Sequence, residues 1–200
     1  MATPLSRKIA TCILESEAPL TFAQFMEMAL YDPEHGYYLT GGNRSSLGGH
    51  ASPIGTQGGD FFTAPCVSPF LAHCTVRQLQ EIDGLLGHPS QFTILEMGPG
   101  EGRFIKDLLD QIARRDSDFY SRLSVILVEQ SPYLQTLQEQ ALASLHEQTA
   151  VTWISDLKSL KDDSVLGVFL SNELVDAFPV HRVRMEKDGL KEIYVDHVAG

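Results

Sequence analysis

Residues 92–112 restrict the fold of this chain more than any other stretch. An apolar run over 92–97 leads into Gly98-Pro99-Gly100-Glu101-Gly102. Phe104, Ile105, Leu108, Leu109 and Ile112 then recur at helical spacing. The pattern reads as strand, tight turn, helix, which is the opening unit of a nucleotide-binding α/β domain. Glycines in the turn let the backbone reverse sharply and approach a ligand closely, and the helix start offers unpaired N–H groups.

The dinucleotide-binding pattern is G-x-G-x-x-G. Here the third glycine comes one position early, at Gly102, and Arg103 stands where that pattern has glycine. Glu96 sits just before the turn. A carboxylate there suits a ligand carrying an ammonium group and is less welcome beside a pyrophosphate. S-adenosylmethionine carries both an ammonium and a sulfonium, so the turn points to methyl transfer over hydride transfer. A short glycine turn alone also fits an ordinary strand–helix connection.

After the turn, strand and helix patterns alternate. Residues 123–128 are apolar and β-branched and end at Glu129; Ser131-Pro132 starts a helix with Leu134, Leu137, Leu142 and Leu145. Residues 151–154 form a short strand ending near Asp156, and 165–170 a buried strand ending in Ser171-Asn172-Glu173. Such alternation predicts a parallel, doubly wound sheet. Residues 180–185 and 193–198, around Asp188-Gly189, read as a terminal hairpin. Ligands of such sheets bind outside the carboxyl ends of the strands. Glu96, Glu129, Asp156 and Asn172-Glu173 all fall at such ends. Any one of them alone reads as a solvated strand end; their repetition is what points to a site. Glu129 can accept both hydroxyls of a ribose, and Asp156 an adenine amino group.

Upstream of residue 88 the patterns are helical. Leu5, Ile9, Cys12 and Ile13 make an amphipathic helix; Thr21 and Gln24 form a capping box, with Leu20 and Phe25 placed as a staple. Residues 41–59 hold seven glycines and few large apolar groups, so they read as a flexible lid or as a plain connection. Ser68-Pro69 starts a further helix, reaching about Ile82 and ending over 84–87. This predicts two parts: residues 1–88 with the helices, the glycine-rich loop and a Gly-Asp-Phe segment, and residues 89–200 with the nucleotide-binding sheet.

A formal net charge of −11 disfavours a nucleic-acid partner, which needs a basic footprint. It suits a small ligand or a basic peptide. Cys12, Cys66 and Cys74 include no C-x-x-C pair, so no disulfide framework and no metal site is expected, and a reducing compartment fits. No apolar run reaches the length of a membrane span.

Five motifs occur in order: Tyr31-Asp32-Pro33 with Gly36-Tyr37-Tyr38; Gly59-Asp60-Phe61 with Thr63-Ala64-Pro65; Leu95-Glu96-Met97-Gly98-Pro99-Gly100-Glu101-Gly102; Val128-Glu129-Gln130-Ser131-Pro132; and Ser171-Asn172-Glu173-Leu174-Val175-Asp176-Ala177-Phe178-Pro179. Over roughly residues 20–183 this order resembles the MidA family of class I S-adenosylmethionine-dependent methyltransferases, which includes an arginine methyltransferase of mitochondrial complex I assembly. The resemblance implies a Rossmann-like α/β sheet with an N-terminal helical extension, and S-adenosyl-L-methionine as cofactor. Glu96 with Gly98, Gly100 and Gly102 would hold its methionine end, Glu129 its ribose, and Asp60 would close over the cofactor or the substrate channel. Asn172, Glu173 and Asp176 would face the methyl acceptor, a protein with a basic residue.

The resemblance implies a cytoplasmic protein, or a mitochondrial matrix one if eukaryotic; charge and apolar run length leave no nucleic acid and no membrane among the expected partners. Family members carry Glu at the position of Cys66 and Phe-Gly at Leu71-Ala72, and have a shorter glycine loop. They also continue well over a hundred residues further, so the sheet reads as truncated at the C-terminus, with an open edge that favours self-association. Two functions follow: a methyltransferase acting on a protein arginine nitrogen, and a non-catalytic assembly factor on a relic methyltransferase fold. An NAD-dependent dehydrogenase is disfavoured by Arg103.

Overall fold

The structure, a computed structural model, describes residues 2–39, 63–145 and 149–197. The chain forms two compact units, residues 1–53 with 175–200 and residues 54–174. In chain order the elements are α1 (Pro4–Ser16), β1 (Leu20–Thr21), α2 (Phe22–Tyr31), α3 (Ala64–Val67), α4 (Phe70–Leu85), β2 (Phe92–Met97), α5 (Arg103–Arg115), α6 (Ser117–Ser121), β3 (Leu123–Val128), α7 (Pro132–Leu142), β4 (Ala150–Ile154), β5 (Gly167–Leu170), β6 (Val183–Glu186), β7 (Gly189–Glu192) and β8 (Tyr194–Val195).

In the unit of residues 54–174, β2 to β5 form a parallel sheet in the order β4-β3-β2-β5. The chain steps outward from β2 to β3 and β4, then crosses back to place β5 on the other side of β2. That reversal is the switch point where open α/β sheets bind ligands. All of β2 except its last residue is buried, and the apolar stripe of α5 expected from its spacing is fully covered. Ala72, Val76 and Leu79 of α4 pack in the same core as Phe92 and Ile94. The division expected at residue 88 therefore falls inside this unit, because α4 covers the sheet. The helix runs through Gly84 and ends at Leu85, inside the 84–87 stretch expected to stop it.

A clamp holds this core together. Arg122 donates two bonds to the buried Asp83 carboxylate, at 2.7 and 2.8 Å, and one to Pro89 O. The guanidinium holds the Asp83 carboxyl below its ordinary range and itself lies over the Phe119 ring.

Two expectations change here. Residues 165–170 do not form a fully buried strand. Among the described residues β5 is an edge strand: Val168 and Leu170 pack on the core, while Phe169 is 56% exposed. The hairpin is also displaced. Asp188 is in the turn, but the second strand begins at once at Gly189, so β7 pairs with β6 over 183–192. Tyr194 and Val195 pair instead with Thr21 and Leu20.

The first unit forms as its caps predict. Thr3 caps α1, and Thr21 with Gln24 closes the capping box of α2. Ile9, Ile13 and Leu20 are buried against Phe25 and Met28. Asp32 accepts from the N–H groups of Glu34 and His35 and pairs with Lys8 at 2.5 Å. A Cβ on Gly36 would lie 2.4 Å from Asp32 N, so only glycine closes this turn. The Tyr31 hydroxyl donates to Ala177 O. Among the described residues no helix is long and apolar enough to cross a membrane.

Candidate functional site

The carboxyl ends of three strands are tied by bonds that prolong the ladder: Gly98 N–H donates to Val128 O, and Glu129 N–H to Ile154 O. The turn after β2 thus sits beside the end of β3, bringing the glycines and Glu129 to one edge. Gly98, Gly100 and Gly102 all have positive φ, +70°, +56° and +77°, where a side chain would be strained. Among the described residues a Cβ on Gly100 would meet nothing within 4 Å, so there the turn's backbone is open to a ligand. Gly102 is the N-cap of α5 and gives it no side-chain cap bond.

Glu96 is 2% exposed, and its Oε2 has no hydrogen-bond partner among the described residues. Burial pushes its carboxyl up to about 8. An unpartnered buried carboxylate is costly, and a cationic ligand group is what would offset that cost. At the end of β3, Glu129 accepts from Ser131 N–H at 2.8 Å and from Gln138 Nε2 at 3.1 Å. Burial raises its carboxyl, and these bonds partly oppose the shift.

The loop after β5 comes from the other side of the switch point. Leu174 packs over the glycine turn: a Cβ on Gly98 would lie 2.7 Å from Leu174 Cδ1. Asn172 is half-buried and Glu173 exposed. Glu173 has φ +52°, a conformation found mostly where surrounding structure enforces it. Asp156 stands at the end of β4, exposed, and its carboxylate accepts from Lys158 N–H as the cap of a short turn.

Asp176 belongs to the first unit, where its charge, after burial, helps raise the Tyr38 hydroxyl. Asp60 and residues 41–59 lie outside the described residues. The structure thus gathers Glu96, Gly98, Gly100, Gly102 and Glu129 at one sheet edge, and the loop carrying Asn172 and Glu173 reaches it through Leu174.

Sequence reasoning missed Gln138, which is fully buried on α7. It links Glu129, the Gly100 carbonyl at 2.7 Å and the Trp153 indole at 2.9 Å. The available signal was its position: it precedes Leu142 by four residues and Leu145 by seven, inside the stripe that faces the core.

A parallel sheet with this switch point, an open glycine turn and an acid ending the next strand define the class I methyltransferase type of α/β fold. The chain belongs to the family described as "Putative S-adenosyl-L-methionine-dependent methyltransferase", whose model matches residues 70–199; this is the MidA family of the motif order above. Among curated proteins it is similar to the mitochondrial protein arginine methyltransferase NDUFAF7 of Mus musculus, 28% identical over 213 residues, covering 97% of this chain and 46% of that protein. The Drosophila melanogaster homolog is 26% identical, covering 96% of this chain and 44% of that protein. The chain thus spans less than half the length of these relatives.

A crystal structure of an uncharacterized superfamily protein from Burkholderia thailandensis matches with a TM-score of 0.69 and 26% identity, over 94% of this chain and 43% of that one. A second protein from that organism, solved bound to S-adenosyl-homocysteine, shares the fold with a TM-score of 0.68 at 22% identity, over 98% of this chain and 50% of that one.

Proposed function

We propose that this protein binds S-adenosyl-L-methionine at the carboxyl edge of β2 and β3 and is a methyltransferase acting on an arginine nitrogen of a protein substrate. The observation that carries this reading is Glu96, a buried carboxylate with an unpartnered oxygen beside an open glycine turn. When bound, S-adenosyl-L-methionine supplies a sulfonium methyl group open to displacement by a nucleophile. Glu96 and the 98–102 turn hold the amino-acid end, Glu129 accepts the ribose hydroxyls, and Asp156 serves the adenine edge. Asp60 is assigned to closure of the same site from its motif alone.

A guanidinium keeps its proton up to about pH 12 and beyond, so the acceptor nitrogen needs a carboxylate to orient it and to draw its positive charge. Glu173, exposed after β5, is suited to that role, with Asn172 beside it; Asp176 is assigned to the acceptor by its motif alone. In-line displacement requires mainly that the two reactants be aligned. The names of the fly and mouse relatives support an arginine acceptor. They also support a mitochondrial matrix location if the chain is eukaryotic; otherwise the cytoplasm is proposed. The open edge of β5, with Phe169 exposed, supports self-association.

The test is Glu129→Ala. Removing two charge-assisted hydrogen bonds, about 1.5–3 kcal/mol each at most, lowers affinity for S-adenosyl-homocysteine by about tenfold or more. Unchanged affinity removes Glu129 from the site.

A non-catalytic assembly factor is the second reading, favoured by Cys66 where the family resemblance implies Glu. Here Cys66 lies within the short helix Ala64–Val67 and its sulfur lies 3.5 Å from the Thr63 hydroxyl. Transfer of labelled methyl to a basic protein separates the two readings, since a relic site binds cofactor without turnover.

A further inference from the structure

We propose that Gln138 is a positioning residue of the cofactor site: it fixes the Glu129 carboxylate to the glycine turn and couples both to Trp153. The inference rests on the reading that this edge takes S-adenosyl-L-methionine, and it concerns a residue that acts through Glu129 and the glycine turn.

The amide of Gln138 uses both of its N–H groups, one on Gly100 O at 2.7 Å and one on Glu129 Oε2 at 3.1 Å. Its oxygen accepts from Trp153 Nε1 at 2.9 Å. The amide orientation is determined by its partners, because an indole N–H can only donate while a carbonyl and a carboxylate can only accept. Rotating the amide by half a turn would set donor against donor and acceptor against acceptor.

Glu129 is held from both sides, Oε1 by Ser131 N–H and Oε2 by Gln138. The carboxylate, which the Gln130 N–H also contacts, therefore keeps one plane and presents its remaining lone-pair capacity to a hydroxyl. Gly102 is what allows α7 so close: a Cβ there would lie 3.2 Å from Gln138 Cγ and 3.3 Å from its Cα. The middle glycine of the turn, the acid after β3 and the side chain of β4 thus meet at one fully buried amide. Preorganisation of this kind reduces the ordering that a ligand must otherwise impose. Trp153 is the single tryptophan of the chain, so the network carries its own optical reporter.

The experiment is calorimetric titration with S-adenosyl-homocysteine of the wild type, Gln138→Leu and Gln138→Glu, each with its fold checked by circular dichroism. Gln138→Leu orphans two acceptors and one donor, and affinity falls about tenfold or more. In Gln138→Glu a second carboxylate faces Glu129. When ionised it repels Glu129; when protonated it donates one bond. Taken as a ratio to the wild type, which cancels the protonation of Glu96 common to both proteins, the affinity of that variant therefore rises as the pH falls from 8 to 6. A merely structural glutamine gives parallel pH profiles.

If Gln138→Leu does not fold, the wild type still decides, because emission from Trp153 shifts as S-adenosyl-homocysteine saturates the site. Unchanged emission, equal affinities or parallel profiles overturn the positioning role while leaving the site intact. A wild type that does not bind S-adenosyl-homocysteine overturns the site and this role together.

Discussion

Replacing Glu96 with Gln removes a buried ionisable group with little change of shape, and the effect depends on pH in a defined direction. Burial raises the carboxyl from its ordinary value of 4.5 to about 8. Between those values the folded protein holds a proton that the unfolded chain has lost. Stability is therefore fully present below pH 4.5 and is lost as pH rises through 8, with a slope of about 1.4 kcal/mol per pH unit. At pH 7 the penalty is on the order of 3 kcal/mol.

Urea unfolding of the ligand-free protein at pH 5, 6, 7 and 8 measures it. The stability of wild type relative to Glu96→Gln should fall by about 3 kcal/mol across that range. Using the difference between the two proteins cancels Glu129 and Asp107, which burial shifts the same way. A cationic ligand group beside Glu96 should also expel its proton. Calorimetry at pH 7 in buffers of different ionisation enthalpy should therefore report release of about 0.9 proton on binding S-adenosyl-homocysteine. Parallel stability profiles for the two proteins would refute the placement of an unpartnered carboxylate at position 96.

Three further outcomes follow from particular contacts. Gly167→Ala sets a Cβ 2.1 Å from Thr93 O on the adjacent strand, and the loss, on the order of 3 kcal/mol or more, should appear as a lowered urea midpoint. Arg122→Ala leaves the buried Asp83 carboxylate with only the His88 contact among the described residues and should cost about 3 kcal/mol; a further Asp83→Leu substitution should restore part of that stability. Glu173→Gln should keep S-adenosyl-homocysteine affinity and slow methyl transfer to a basic protein by about a hundredfold, and full activity in that variant would make Glu173 structural.

Local signals read correctly wherever the stabilising contacts are local. The strand over 92–97 and the helix after Gly102 appear at the expected residues, because one is buried on both faces and the other carries an unbroken apolar stripe. The capping box at Thr21 is visible in four consecutive residues. What failed depended on distant partners. The role of Tyr194 and Val195 is set by Leu20 and Thr21, far away in sequence, so periodicity assigned them to the hairpin. The helix Phe70–Leu85 joins the sheet's core across a connection that looked like a boundary. Phe169 reads as core by composition but lies on the open face of an edge strand. Among the candidate site residues, the placement of the acids at strand ends is legible from position. That of Gln138 is not, because a polar residue in an apolar stripe declares its role only when its three partners are known.

Calorimetric titration of the wild-type protein with S-adenosyl-homocysteine, with NAD as the control ligand, tests the cofactor site most directly. Saturable one-site binding of S-adenosyl-homocysteine and no heat with NAD is the predicted result. Binding of NAD in place of S-adenosyl-homocysteine, or of neither, would contradict it.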